Sequence, residues 1–193
     1  MSLMASYYIY DLSDLYHFGW LPTNSKDKYL VNISAGFDEI SNILIEKYPD
    51  AELLVLDFYD PLKHTEVSIK RARKAYPRHT GTEQIDTSSF PLKNATADKI
   101  FVMLSAHEIR DPKEQIIFFK EIKRVLKQDG QLIVVEHLRD WANFAAFNLG
   151  FLHFYSRGTW LNVFKQTKFF VKKEIKITPF ITAFIMEKHG NSL

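Results

Sequence analysis

The chain has 193 residues, of which 46% are apolar and 25% charged, with a formal net charge of +2 and no cysteine. That length suits one domain that buries its own core, and the near-neutral balance gives no reason to expect nucleic acid or an anionic membrane as partner. The missing cysteines exclude disulfides, zinc–thiolate sites and a thiol nucleophile, which is compatible with a cytoplasmic location.

No apolar run reaches transmembrane length, and the start lacks a secretory pattern. Met1-Ser2-Leu3 ahead of Met4 reads as a cloning remnant, with Met4 the natural start. Residues 1–22 (through YYIYDLSDLYHFGWLP) read as an aromatic arm that covers apolar surface, and 23–193 as a single domain.

A strand is expected at about 28–34 (YLVNIS), then a tight turn at Ala35-Gly36. A helix follows from about Phe37 to Tyr48, where Ile40, Ile43, Leu44 and Tyr48 recur at helical spacing. Leu53 to Asp57 is apolar enough for a strand buried on both faces. Pro61 opens a helix that runs to Tyr76 before Pro77. On it Ile69, Ala72 and Tyr76 face inward, while Lys70, Arg71, Arg73, Lys74 and, just beyond, Arg78 form a solvated basic face rather than a nucleic-acid site. Glu83 to Thr87 is a third short strand and Lys99 to Ser105 a fourth.

Pro112 starts an amphipathic helix with Ile116, Phe119, Ile122, Val125 and Leu126 on one face, and Asp129-Gly130 stops it. The fifth strand is Gln131 to Glu136. An apolar helical insertion occupies about 140–167, with one helix from Trp141 to Tyr155 and another from Thr159 to Gln166. The first is apolar nearly all round, so it either lids a site or joins two copies as a homodimer. Strands 169–177 and 180–188 close the chain as a hairpin. The alternation gives an α/β fold: a doubly wound, Rossmann-like, mostly parallel seven-stranded sheet with a C-terminal antiparallel hairpin.

In such a sheet ligands bind at the carboxyl ends of the strands. VNISAGF at the first turn, Asp57 ending strand two, Asp86 ending strand three, PLKNATADKIFV and FFKEIKRVLKQDGQLIVVEH stand in that order. With these pieces the chain resembles the class I S-adenosylmethionine-dependent methyltransferases from Lys28 to Lys188. It also resembles a bacterial subgroup that carries His-Glu-Ile-Arg-Asp after strand four and Glu-His-Leu-Arg-Asp after strand five, with no substrate assigned.

The resemblance implies S-adenosyl-L-methionine as cofactor. Ser34, Ala35 and Gly36 would lie beneath its methionine part, and the amides at the next helix start would face its carboxylate. Asp57 would take the ribose hydroxyls, Phe58 would lie against the adenine, Asp86 with Thr87 would meet the adenine amine, and Ser105 is grouped with them. Three positions depart from the family pattern: Asn32 stands for an acid, and Ser34 and Asp38 for glycines.

Methyl transfer needs alignment and, for a protonated nucleophile, a base. His107, Glu108, Glu136 and His137 stand at the ends of neighbouring strands four and five, with His107 or His137 as the proton acceptor. A plainer reading pairs Glu108 and Glu136 with Arg110 or Arg139. A metal site is the less favoured alternative, since no helical His-x-x-x-His exists and thiolates are absent; His17, His64, His79, His153 and His189 show no ligand spacing and read as structural or exposed. The expected activity is methyl transfer to a small or mid-sized, partly apolar acceptor. The rivals are a binding or assembly protein that has lost catalysis and, with less support, a nicotinamide-dependent oxidoreductase, since an acid about twenty residues beyond a glycine turn also suits a dinucleotide.

Overall fold

The computed structural model describes residues 2–64, 67–76 and 78–188. Its centre is a seven-stranded sheet in the order β3-β2-β1-β4-β5-β7-β6. The strands are β1 (Tyr29–Ser34), β2 (Glu52–Asp57), β3 (Glu83–Gln84), β4 (Ala97–Met103), β5 (Leu126–His137), β6 (Phe169–Lys176) and β7 (Ile181–Lys188). The first five pair in parallel, and β7 runs antiparallel to both β5 and β6. This is the expected architecture, hairpin included. The order reverses between β1 and β4, so the crevice lies beyond Ser34 and Met103.

The helices are α1 (Ser2–Tyr7), α2 (Ser41–Lys47), α3 (Val67–Ala75), α4 (Pro112–Val125), α5 (Trp141–Phe147) and α6 (Arg157–Gln166). Helix α4 starts where proline costs nothing, at its first position, with the Asp111 carboxylate accepting from the Lys113 amide. Its Phe118, Phe119, Ile122 and Val125 pack with Trp160 and Phe164 of α6 on one side of the sheet. The arm covers the other side: Ile9, Leu15, Phe18 and Leu21 pack on Leu30, Leu44 and Phe101.

Several boundaries differ from expectation, each for a local reason. Helix α2 begins at Ser41, because residues 37–40 form the turn that Asp38 caps. Residues 61–63 are a turn and α3 starts at Val67, so Pro61 opens no helix; Pro77, expected to close it, lies outside the described residues. Strand β3 has two residues, with Asp86 bridging to Ser89 instead of extending it. Helix α4 ends at Val125, and Asp129-Gly130 lies inside β5, where an added Cβ on Gly130 would meet the Asp98 and Ala97 carbonyls at 2.9 and 3.0 Å. The expected helix 141–155 breaks at Asn148, with φ +53°, into a tighter turn over Asn148–His153.

Candidate functional site

The turn after β1 is built by three polar side chains. Asn32 Nδ2 donates to Asp38 Oδ1 (2.9 Å) and to Ser41 Oγ (3.0 Å). The same Asp38 oxygen accepts from the Ile40 and Ser41 amides, both at 3.1 Å, so the helix-start amides expected to face an anion are already satisfied. Asp38 Oδ2 is buried with no hydrogen-bond partner among the described residues. Gly36 has φ +95°, a conformation that favours glycine, and a Cβ there would strike the Tyr59 ring and Arg73.

Register places Asp57 beside Ser34 on one flank and Gln84 on the other. The Asp57 carboxylate is buried and fully engaged. Its Oδ1 accepts from the Tyr59 amide (2.8 Å); its Oδ2 meets Arg73 Nη1 (3.0 Å) and Arg78 Nη2 (3.1 Å). Arg73 Nη1 also donates to the Gly36 carbonyl (3.0 Å), and its guanidinium lies 4.1 Å from the Tyr59 ring centre. Arg73 is therefore no part of a solvated face: α3 lies across the crevice and drives that side chain between Gly36 and Asp57. Tyr76, expected inward, is exposed and meets Phe37.

Free space lies on both sides of this plug. Between Gly36 and Asp57 only about 40 Å³ is open. Beyond them a cavity of about 510 Å³ is lined by Phe58, Tyr59, Asp86, Thr87 and Glu114. Asp57 and Asp86, expected to rim one pocket, line different spaces: Asp57 the 40 Å³ gap and Asp86 the 510 Å³ cavity, with Arg73 and Arg78 held on Asp57. Asp86 Oδ1 accepts from the Ser88 amide and hydroxyl (2.8 and 2.6 Å), which hold its carboxyl below the usual range. Thr87 donates to Glu114 (2.8 Å), and Phe58 is packed edgewise on Phe118 and His64.

The opposite cavity, about 690 Å³, opens between β1 and β4 and lies under the 147–154 segment. Tyr10, Ala35, Phe37, Glu39, Ile69 and Ala72 wall one part of it; Ser105, His107, Glu108, His137, His153 and Phe154 line another. Ser105 Oγ is used structurally, donating to the Ile33 carbonyl (3.1 Å). His107, Glu108 and His137 do converge. Glu136 sits behind them, fully buried, with Oε2 2.7 Å from His107 Nδ1. The arginine pairing expected for the two glutamates is not what forms. Glu108 meets His107 Nε2 (3.3 Å) and His153 Nε2 (3.5 Å), while Arg139 holds the Phe154 and Leu152 carbonyls. His64, His79 and His153 are built into the fold or line cavities; His17 is exposed, and His189 lies outside the described residues.

The two candidate bases are in opposite states. Burial disfavours a charged His107 ring, but the Glu136 and Glu108 carboxylates outweigh it and lift its pKa to about 10. His137 is pulled below its ordinary value by burial. His137 Nδ1 stands 3.0 Å from Asn143 Oδ1 and 3.1 Å from the Phe180 carbonyl, so it carries the proton of the neutral ring. Nε2 is left with its lone pair toward Tyr10 Oη at 3.4 Å.

Glu39 escaped the sequence reading because it carries no motif. Burial, with the Asp38 charge, raises its carboxyl to about 7 against the pull of Tyr16. Folded Glu39 thus keeps its proton where the unfolded chain has lost it. Stability should fall as pH rises from 4.5 to about 7 and level off above that. Glu39→Gln should flatten this slope and, at pH 8, exceed the parent in urea unfolding by about 2 kcal/mol. Equal stability at pH 8 would show that this carboxylate pays no desolvation cost.

The family described as "Methyltransferase domain" matches residues 31–134, over half of the chain. The chain belongs to this methyltransferase family. No curated protein sequence matches it. Among solved structures, the methyltransferase is similar to a SAM-dependent methyltransferase from Aquifex aeolicus (TM-score 0.61, 15% identity, 94% of this chain and 92% of that one). It is also similar to a type 11 methyltransferase from Sulfolobus solfataricus (0.58, 16%, 87% and 88%). A third is an O-methyltransferase family 2 protein from Planctomyces limnophilus, solved in complex with apigenin (0.64, 16%, 91% and 56%). At these identities the likeness bears on the fold.

S-adenosylmethionine is the cofactor of this methyltransferase. The residues expected to receive it can be tested for fit: the turn at Gly36, the Asp57 and Asp86 carboxylates, and the partnerless Asp38 oxygen, an acceptor of the kind an ammonium group could meet. Between Gly36 and Asp57 stands Arg73. Ligand pockets take roughly 300 Å³ or more, far above the 40 Å³ now open there. A cofactor placed between Gly36 and Asp57 would have to displace the Arg73 side chain.

Proposed function

We propose that this methyltransferase acts on a small or mid-sized, partly apolar acceptor held in the 690 Å³ cavity, with His137 as the proton acceptor. The carrying observation is the cavity itself: its walls are mostly apolar, and the neutral His137 ring lines it beside the Tyr10 hydroxyl, which stands 3.4 Å from Nε2. When bound, S-adenosylmethionine supplies an electrophilic methyl on a sulfonium. Ser34, Ala35 and Gly36 would support its methionine portion, Asp57 its ribose, and Asp86 with Thr87 and Phe58 its adenine end.

The chain's own contribution is positioning and proton handling. Phe147, Gly150 and Phe154 line the cavity, which supports a lid role for the apolar segment. The outer side of that segment stays exposed at Trp141, Leu149 and Leu152. His137 is held in plane by Asn143 and by a stacked Phe154 ring 4.6 Å away, which fixes the direction of Nε2. His107 holds its proton too firmly to act as a base at neutral pH.

The test is methyl transfer from labelled cofactor to a panel of hydroxylated aromatic and aliphatic compounds, beside RNA and protein. Small apolar acceptors should be labelled. Gly150→Leu, whose Cβ has room with its nearest neighbour at 3.7 Å, should lose the bulkiest of them first. Labelling of macromolecules alone would overturn the proposal.

A further inference from the structure

We propose that His107, Glu108 and His153 bind a divalent transition-metal ion at the wall of the 690 Å³ cavity, with its open positions facing the space assigned to the acceptor. The nitrogen and oxygen atoms these residues offer all lie within 4.8 Å of one another. Glu108 Oε1 stands 3.3 Å from His107 Nε2 and 3.5 Å from His153 Nε2. Ligands about 2.1 Å from a tetrahedral ion stand roughly 3.4 Å apart, so the cluster is already at bonding scale.

The surroundings have the form of a metal centre's outer shell. Glu136, fully buried, takes His107 Nδ1 at 2.7 Å and accepts the His107 amide at 3.2 Å. A carboxylate on the far nitrogen of a histidine fixes the ring and turns Nε2 to the ion. His153 is held by the two arginines of the paired motifs. Arg110 donates to the His153 carbonyl (2.7 Å) and its guanidinium touches the ring. Arg139 ties down the Leu152 and Phe154 carbonyls on either side of it. The Tyr155 hydroxyl adds a bond to the Ile109 carbonyl (3.1 Å), locking the two segments together. His-Glu-Ile-Arg after β4 and Glu-His-Leu-Arg after β5 therefore supply two ligands, a buried support and one positioning arginine, Arg139. Arg110 now contacts both ring nitrogens of His153 and would have to give up Nε2 to the ion.

Two imidazoles and one carboxylate, without thiolate, select zinc, iron(II), cobalt or manganese over calcium or magnesium. The ion replaces the proton on His107 Nε2, which leaves to solvent, and the Arg110 head, now over His153, swings aside. Such an ion would bind an acceptor oxygen and favour its deprotonated form, so the acceptor class narrows to hydroxyl compounds. That use rests on the methyltransferase reading; the ion site does not.

The experiment is a titration of chelator-treated protein with Co²⁺, followed by visible absorption, and with Zn²⁺ in competition. One equivalent of Co²⁺ should bind with a low-symmetry spectrum and be displaced by Zn²⁺. Glu108→Gln and His153→Ala should each weaken uptake about tenfold or more, as should Glu136→Gln through its support of His107. The exposed His17→Ala should change nothing. His153 lies on a partly exposed turn, so His153→Ala keeps the test open if the buried variants fail to fold. Absence of stoichiometric Co²⁺ and Zn²⁺ uptake, or uptake unaltered in all variants, would overturn the site. Calorimetry with S-adenosylmethionine on the same samples separates that failure from failure of the methyltransferase reading.

Discussion

Arg73→Ala is expected to tighten S-adenosylmethionine binding by roughly tenfold or more. Arg73 occupies the Asp57 carboxylate proposed above for the ribose, the Gly36 carbonyl and the volume between them. A ligand that binds only the minor, open arrangement has its affinity reduced by the fraction of molecules that are open. A closed state favoured by about 1.4 kcal/mol already costs a factor of ten. The variant should lose little stability, because Arg78 at 3.1 Å still neutralises the buried Asp57. Arg73→Lys should fall between the two, since an ammonium keeps the charge but lacks the planar guanidinium that lies over the Tyr59 ring. Calorimetric titration checks this. Weaker binding in the alanine variant would mean that Arg73 is a ligand of the cofactor and not its competitor.

The largest stability effect is expected at Lys99, which is 2% exposed within β4. Its stem packs under the arm, and Nζ reaches Asp27 Oδ2 (2.5 Å), the Tyr48 hydroxyl (3.3 Å) and the Pro22 carbonyl (3.4 Å). Pro22 and Asp27 lie where the arm hands the chain to β1, and Tyr48 ends α2. Removing one partner of a buried pair leaves the other charge uncompensated, at about 3–5 kcal/mol. Lys99→Ala should lose about that much in urea unfolding. Lys99 with Asp27 replaced together, by Met and Ala, should recover part of it. An unchanged midpoint for Lys99→Ala would show that the arm is not tied down here.

The sheet was legible because its signals are local. Apolar runs ending in turn residues mark buried parallel strands whatever surrounds them, and 29–34, 52–57 and 131–136 all fall inside strands. Helix ends were less legible. Asp38 and Asn148 shorten helices by hydrogen bonding and a positive φ that periodicity cannot register. The neighbourhood of His107, Glu108 and His137 could be anticipated from strand adjacency, since Met103 pairs with Val135.

What lay beyond the sequence was the choice of partners. Arg73 and Arg71 are alike in type and belong to one basic run, yet Arg73 is committed to a buried carboxylate and a glycine carbonyl. His153 carries no ligand spacing and reaches Glu108 only because two arginines pin down its turn. The amino-acid order by itself determined the fold, its switch point and the residue types at the strand ends, since these follow from periodicity and steric preference within a few residues. Only the tertiary structure decided which charge meets which and where the cavities remain open. Those outcomes depend on long-range geometry, and a buried ion pair or an imidazole–carboxylate contact is made or lost within about an ångström.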